Sequence, residues 1–201
     1  MKLNDTFYKR DDTVEMAKEL IGKFVYTNID GEITGGMIVE TEAYLGATDS
    51  GCHSFNNKKT PKNATMFNNG GVAYMYICYG IHDMLNIVAG AEGTAEAILI
   101  RAIEPTEGID LMQIRRGNVL LNRLAKGPGS LAKALGLNKT FDNISLLGDV
   151  LWIEDEAIKI VESDIVASPR IGLGCPEPYF SIPWRFFLKG NKFVSGKTNY
   201  I

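Results

Sequence analysis

The sequence predicts an α+β fold in which a mostly antiparallel sheet carries helices on its flanks. Three observations point there. Strand-like runs follow one another at Lys23–Asn28, Gly35–Tyr44, Val72–Tyr79, Met84–Ala89 and Ala95–Ile103. Helical patterns stand before and after that block. The stretch "YMYICYG" meets a glycine and continues into Met84–Ala89, the pattern of a hairpin with an aromatic near its tip.

The elements follow in chain order. In "DDTVEMAKELIGK", Asp12 or Thr13 can cap a helix whose Val14, Ala17, Leu20 and Ile21 form one stripe. Between the second and third strands lies a polar loop from Gly46 to Gly71. At about 26 residues it exceeds the ~12–15 beyond which structureless loops are uncommon and often functional. Pro105 opens a helical stretch, "PTEGIDLMQIRRG", with proline in the first turn. Leu120–Ala125 and Ser130–Leu135 read as shorter helices, and Leu151–Ile153, Ile158–Val161 and Trp184–Leu188 as further strands. No repeat, low-complexity tract or long linker divides the chain, so residues 1–201 are expected to form one domain.

Composition is that of an ordinary globular protein: 45% hydrophobic and 22% charged. No apolar run approaches the ~18 residues of a membrane helix, and "MKLNDTFYKRDD" lacks a signal-peptide core. The expectation is an intracellular, non-secreted protein with no membrane partner. Cys52, Cys78 and Cys175 are odd in number and form no C-x-x-C pair. With His53 and His82 they match no common zinc spacing, so no metal is expected. The net charge of −3 weakens a nucleic-acid reading taken over the whole chain. Yet the charge is uneven. Residues 142–164 hold seven carboxylates against Lys159, while Lys58, Lys59 and Lys62, the pair Arg115 and Arg116, and Arg123 with Lys126 form basic groups elsewhere. From residue 170 onward Arg170, Arg185, Lys189, Lys192 and Lys197 stand against Glu177.

The chemically suggestive stretch is "MIVETEAYLG". Alternation puts Val39, Thr41, Ala43 and Leu45 on one face and Glu40, Glu42 and Tyr44 on the other. A half-solvated strand shows the same alternation. Two neighbouring carboxylates repel, however, and in a cleft one of them could act as a base. Tyr74, Tyr76 and Cys78 share a face of the next strand. Several tyrosines beside a lysine-bearing loop suit something flat and anionic, since bases stack on aromatic rings at about 1–3 kcal/mol each.

The run "GGMIVETEAYLGATDSGCHSFNNKKTPKNATMFNNGGVAYMYICYGIHDMLNIV", followed by "ILIRAIEPTEG", "LAKGPGSLAKALGLN", "RIGLG" and "PWRFFLKGNKFVSG", closely resembles the alkyladenine (3-methyladenine) DNA glycosylase family. The resemblance extends from about Phe7 to Gly196. It implies a single glycosylase domain with a curved, mostly antiparallel sheet, flanking helices and a protruding β-hairpin. Its partner would be double-stranded DNA containing damaged purines, and it would act as a monomer without a cofactor. Such enzymes rotate an alkylated or deaminated purine out of the duplex and hydrolyse its N-glycosidic bond. By this resemblance Glu42, the second glutamate of "ETEAY", activates the water, and Arg101 in "LIRA" stands beside it. Tyr44 stacks on one face of the base, with His53 and Tyr76 on the other, and Asn86 at the pocket floor obstructs the amino group of guanine. Tyr79 fills the gap left in the duplex. Lys58, Thr60, Lys126 and Arg185 are candidate phosphate contacts. Glu40 is assigned to structure. No lysine falls at the catalytic position, so the chemistry expected is monofunctional and leaves an abasic site.

Two other readings keep the same residues. A hydrolase of free nucleosides or saccharides could use paired carboxylates. Glu40 and Glu42, however, lie about 7 Å apart along one strand and point the same way. A catalytically silent DNA-damage binding module would share the scaffold. An intact Glu42 argues against it.

Overall fold

The computed structural model describes residues 1–196, so Lys197 lies outside the described residues. The chain opens with the short helix α1 (Asp5–Tyr8), where Asn4 Oδ1 accepts from the Phe7 N–H at 3.2 Å. Helix α2 follows at Thr13–Glu19. Asp12 precedes it but does not cap it, because its carboxylate is taken by Arg10 at 2.6 and 2.8 Å. Strands β1 (Phe24–Ile29), β2 (Glu32–Tyr44), β3 (Ala73–Cys78), β4 (His82–Ala89) and β5 (Glu96–Glu107) come next. Helices α3 (Ile109–Arg116) and α4 (Pro128–Ala134) and strands β6 (Leu151–Glu154), β7 (Ile165–Ser168) and β8 (Arg185–Leu188) complete the list.

All eight strands join one curled antiparallel sheet in the order β3-β4-β5-β2-β1-β6. β2 is its spine. One edge pairs with β5 throughout, while the other pairs first with β1 and then, at Glu40–Glu42, with β8. β7 closes onto β8. The sheet face toward the helices holds the main core, in which Ala17 of α2, Leu20 and Ile21 just after it, and Leu131 and Leu135 at α4 meet Ile38, Ile98, Ile100 and Ile103. On the other face the 46–71 loop folds into three 3₁₀ turns over a second cluster that contains Cys52, Met66 and Tyr74. β2 is therefore buried on both faces from Thr34 to Ala43, except at Met37, and is not the half-solvated strand that alternation allows.

Several expected elements differ. The segment from Pro105 does not begin a helix. Pro105 pairs with Gly36 near the end of β5, beyond the reach of β4, where its missing N–H leaves no gap in a ladder. The helix waits for Gly108 at φ 64°. Leu120–Ala125 holds only a 3₁₀ turn at Leu121–Arg123. Ile158–Val161 is irregular, and the strand of this region is β7. The acidic 142–164 stretch is not a free face: Asp142, Asp149, Asp155 and Glu162 pair with Lys139, Lys2, Lys23 and Lys18. Among the described residues no helix is long and apolar enough to cross a membrane.

One irregularity positions the site. Ile38 faces Ile103, Glu40 faces Ala102 and Thr41 faces Ile100, so Val39 and Arg101 are each an extra residue. Paired β-bulges re-aim side chains. Val39 and Ala102 leave the main core and join Phe187 and Phe193. Thr41 stays on the helix side, its Oγ1 donating to the Ala17 carbonyl at 2.7 Å. Val39 thus parts from the face that alternation gives it, and Arg101 turns toward Glu40.

Candidate active site

The alternation of β2 brings Glu40, Glu42 and Tyr44 to the face away from α2, as their spacing predicts. Glu42 is fully buried. Its Oε1 accepts from the backbone N–H of Ile171 at 2.7 Å, and the Arg101 guanidinium stands 3.3 Å away. Its Oε2 accepts from the Tyr44 hydroxyl at 2.8 Å. Burial pushes the Glu42 carboxyl above its ordinary range, and the neighbouring Glu40 adds to this. Arg101, the Ile171 N–H and Tyr44 oppose the rise without cancelling it. Burial likewise holds the Tyr44 hydroxyl in its protonated form, so it acts as a donor.

Beyond Tyr44 opens a cavity of about 70 Å³ lined by Tyr44, His53, Tyr76, Asn86, Cys52 and Leu173. His53 Nδ1 and the Tyr74 hydroxyl share a 2.8 Å hydrogen bond, and the His53 ring meets Tyr76 edge-on with centroids 4.6 Å apart. Packing against the tyrosines pulls His53 below its usual range, favouring neutral imidazole. At the floor Asn86 donates Nδ2 to the carbonyls of Tyr74 and Met84, at 3.1 and 3.4 Å. Its amide is therefore fixed in direction. The cavity is small and partly open to solvent. Leu173 lies on the irregular segment after β7 and Cys52 and His53 on the 46–71 loop, while Tyr44, Tyr76 and Asn86 stand on strands.

Tyr44 is braced from behind. The Arg170 guanidinium lies 4.6 Å from its ring centre and 5.1 Å from that of Trp184. Arg170 also donates two buried hydrogen bonds to the Asp49 carboxylate, Nη1 at 2.6 Å and Nη2 at 2.8 Å. Tyr79 stands apart at the turn between β3 and β4, 86% exposed and at φ 51°, followed by Gly80 at φ 74°. A left-handed backbone at a tyrosine is strained, and here it carries an aromatic ring on the outside.

The four residues expected around the base, Tyr44, His53, Tyr76 and Asn86, line one cavity, and Glu42 and Arg101 meet beside Tyr44, while the phosphate candidates divide. Lys58 is exposed in the 46–71 loop. Thr60 binds Asn63 through both its N–H and hydroxyl, and Lys126 Nζ donates to the Lys192 carbonyl at 3.0 Å. Arg185 is a correction. It is 0% exposed and donates to Glu40, Ser168 and the Ser195 carbonyl, so no phosphate can reach it. The expectation missed Tyr74, Arg170, Leu173, Ser195 and the Ile171 amide. Tyr74 was within reach, because it shares a face with Tyr76. The others depend on contacts between distant segments.

The aromatic cavity thus stands, through Tyr44, beside a buried carboxylate that shares an arginine, an arrangement suited to a flat ring with a polar bond at its edge. The methylpurine-DNA glycosylase (MPG) family matches residues 6–192. Relatives carrying the name "Putative 3-methyladenine DNA glycosylase" include those of Chlorobaculum parvum, Clostridium acetobutylicum and Chlamydia felis. The first is 46% identical over 195 residues, covering 96% of this chain and 90% of its own. The second is 41% identical over 203 residues, covering 97% and 98%. The third is 41% identical over 192 residues, covering 94% and 97%. This chain belongs to the methylpurine-DNA glycosylase family of DNA-repair proteins.

Proposed function

We propose that the protein is a monofunctional DNA glycosylase that extrudes alkylated or deaminated purines from duplex DNA and hydrolyses their N-glycosidic bond. The observation that carries this reading is Glu42, a fully buried carboxylate that shares an arginine and adjoins the aromatic cavity through Tyr44. In its ionised form Glu42 takes a proton from water as the water oxygen bonds to the sugar C1′. The C1′–N bond breaks and its electron pair leaves with the purine. The carboxylate also stabilises positive charge developing on the sugar. Tyr44, Tyr76 and His53 hold the base, and cationic alkylated purines gain most from electron-rich ring faces. Asn86 obstructs the exocyclic amine of guanine. Tyr79 enters the stack where the nucleotide left it, offsetting part of an unstacking cost of a few kcal/mol. Lys58, Thr60 and Lys126 contact phosphates, and the enzyme works as a monomer inside the cell.

The test is single-turnover excision from duplexes that carry one hypoxanthine or one ethenoadenine, with 3-methyladenine release from methylated DNA alongside. Alkali-dependent strand cleavage by the wild type, lost in Glu42→Gln, is the expected result. Lesion binding without release of any of the three bases would indicate a silent damage binder. Cleavage without alkali would overturn the monofunctional assignment.

A further inference from the structure

Glu40 is as deeply buried as Glu42, but the reaction above gives it no part. Its Oε1 accepts from Arg101 Nε at 2.9 Å and from Arg185 Nε at 2.7 Å, and its Oε2 accepts from the Ser195 N–H at 2.7 Å. Ser195 acts as a second anchor. Its carbonyl accepts from Arg185 Nη2 at 2.8 Å, and its hydroxyl accepts from Arg101 Nη2 at 3.2 Å. Arg185 Nη1 donates to Ser168. Two of the three nitrogens of Arg101 are therefore committed to Glu40 and Ser195. Only Nη1 is left toward Glu42, at the longer distance of 3.3 Å.

We propose that Glu40 is a positioning residue: held by Arg185 and Ser195, it draws Arg101 to itself and so sets how much of that cation Glu42 receives. The inference rests on the reading of Glu42 as the group that activates water. Two carboxylates and two guanidiniums balance in this buried quartet, so removing either member next to Arg101 changes the field at Glu42 in a known sense. Other groups facing Glu42 leave that balance alone. Tyr44 and Tyr76 are neutral phenols, and Arg170 is matched by Asp49. Without Glu40, the whole charge of Arg101 would act on Glu42 and keep it ionised to lower pH, as a weaker base. Without Arg185, Glu40 would hold Arg101 more fully and also repel Glu42, which would then keep its proton to higher pH.

The test is the pH dependence of single-turnover hypoxanthine excision in the wild type, Glu40→Gln, Arg185→Gln, the double variant and Ser195→Ala. The acidic limb should move down by about one pH unit in Glu40→Gln and up by about one in Arg185→Gln, since charges at this range shift carboxyls by 1–3 units. In the double variant it should return to its wild-type position. A merely structural role lowers rate or stability in both single variants without moving the limb in opposite directions. Unmoved limbs, or limbs moved the same way, overturn the proposal. Should the single variants not fold, the charge-neutral Ser195→Ala decides. Releasing Arg101 Nη2 should lower the limb by a few tenths of a unit, and no movement refutes the division of Arg101. Excision by Glu42→Gln at the wild-type rate would instead overturn the role of Glu42, and this inference with it.

Discussion

Glu42→Gln should abolish excision and yet make the protein more stable at neutral pH. The carboxyl is completely enclosed, and burial outweighs the combined help of Arg101, the Ile171 N–H and Tyr44, so its folded value lies above its unfolded one. The sign follows from linkage. At pH below the unfolded value the group is protonated in both states and adds nothing. As pH rises between the two values, the native state binds more protons than the unfolded chain, and stability falls. Above the folded value the loss is constant, at about 1.4 kcal/mol for each unit of elevation. Glutamine avoids this loss and keeps two contacts, because its carbonyl can accept from Ile171 and its amide can donate to the Tyr44 oxygen. Arg101 retains Glu40 and Ser195. For a chain of this size each unit should appear as a gain of roughly 3–6 °C in Tm at pH 7.5. Paired thermal melts followed by circular dichroism from pH 5 to 8 measure it. A gain that shrinks toward pH 5 is expected. A variant less stable than wild type by a pH-independent margin would mean that the ionised carboxylate is net-stabilised, and the reasoning would be refuted.

Other perturbations have distinct signatures. Asp49→Asn leaves the Arg170 guanidinium buried without its counter-charge and should cost about 3–5 kcal/mol, read as a lower urea midpoint at unchanged slope. Leu173→Ala removes the cavity wall contributed by the segment after β7 and should raise excision of ethenoadenine relative to hypoxanthine several-fold in single-turnover assays; an unchanged ratio would show that Leu173 does not limit ring size. Tyr79→Gly should leave stability within about 0.5 kcal/mol, since relief of a left-handed tyrosine offsets the entropy of glycine. Lesion-duplex affinity should fall at least about five-fold with the lost stacking, and equal affinity by fluorescence anisotropy would remove Tyr79 from the interface.

Much of the site was legible because strand alternation is local. Glu40, Glu42 and Tyr44 share a face for the same reason that Tyr74 and Tyr76 do, and the family motifs add His53, Asn86 and Arg101. Val39 defied that alternation because a bulge depends on the partner strand, which a single sequence does not display. The helix expected at Pro105 failed similarly, since a proline at the end of a strand and one in the first turn of a helix look alike until the pairing is known. Arg185 looked like a surface cation because arginines usually are. What buries it is a set of acceptors on β2, β7 and the segment after β8, none of them near it in sequence except Ser195. The acidic 142–164 stretch likewise gave no sign that Lys2, Lys18 and Lys23 reach across to meet it.

The stitching of β2 to the last quarter of the chain has a consequence for how the protein is made. Ser195 reaches Glu40 across 155 positions and Ile171 reaches Glu42 across 129, while Arg170 reaches Asp49 across 121. On the ribosome the N-terminal strands emerge first, and the helix-side core that they share with α4, β6 and Phe186 closes only later. Glu40 and Glu42 of β2 and Asp49 of the loop after it must wait in water, because burying them without partners is too costly. The final clasp of β8 and Ser195 therefore completes the buried carboxylate–guanidinium cluster as it covers β2, and a nascent chain stopped short of it is left open along that edge of β2.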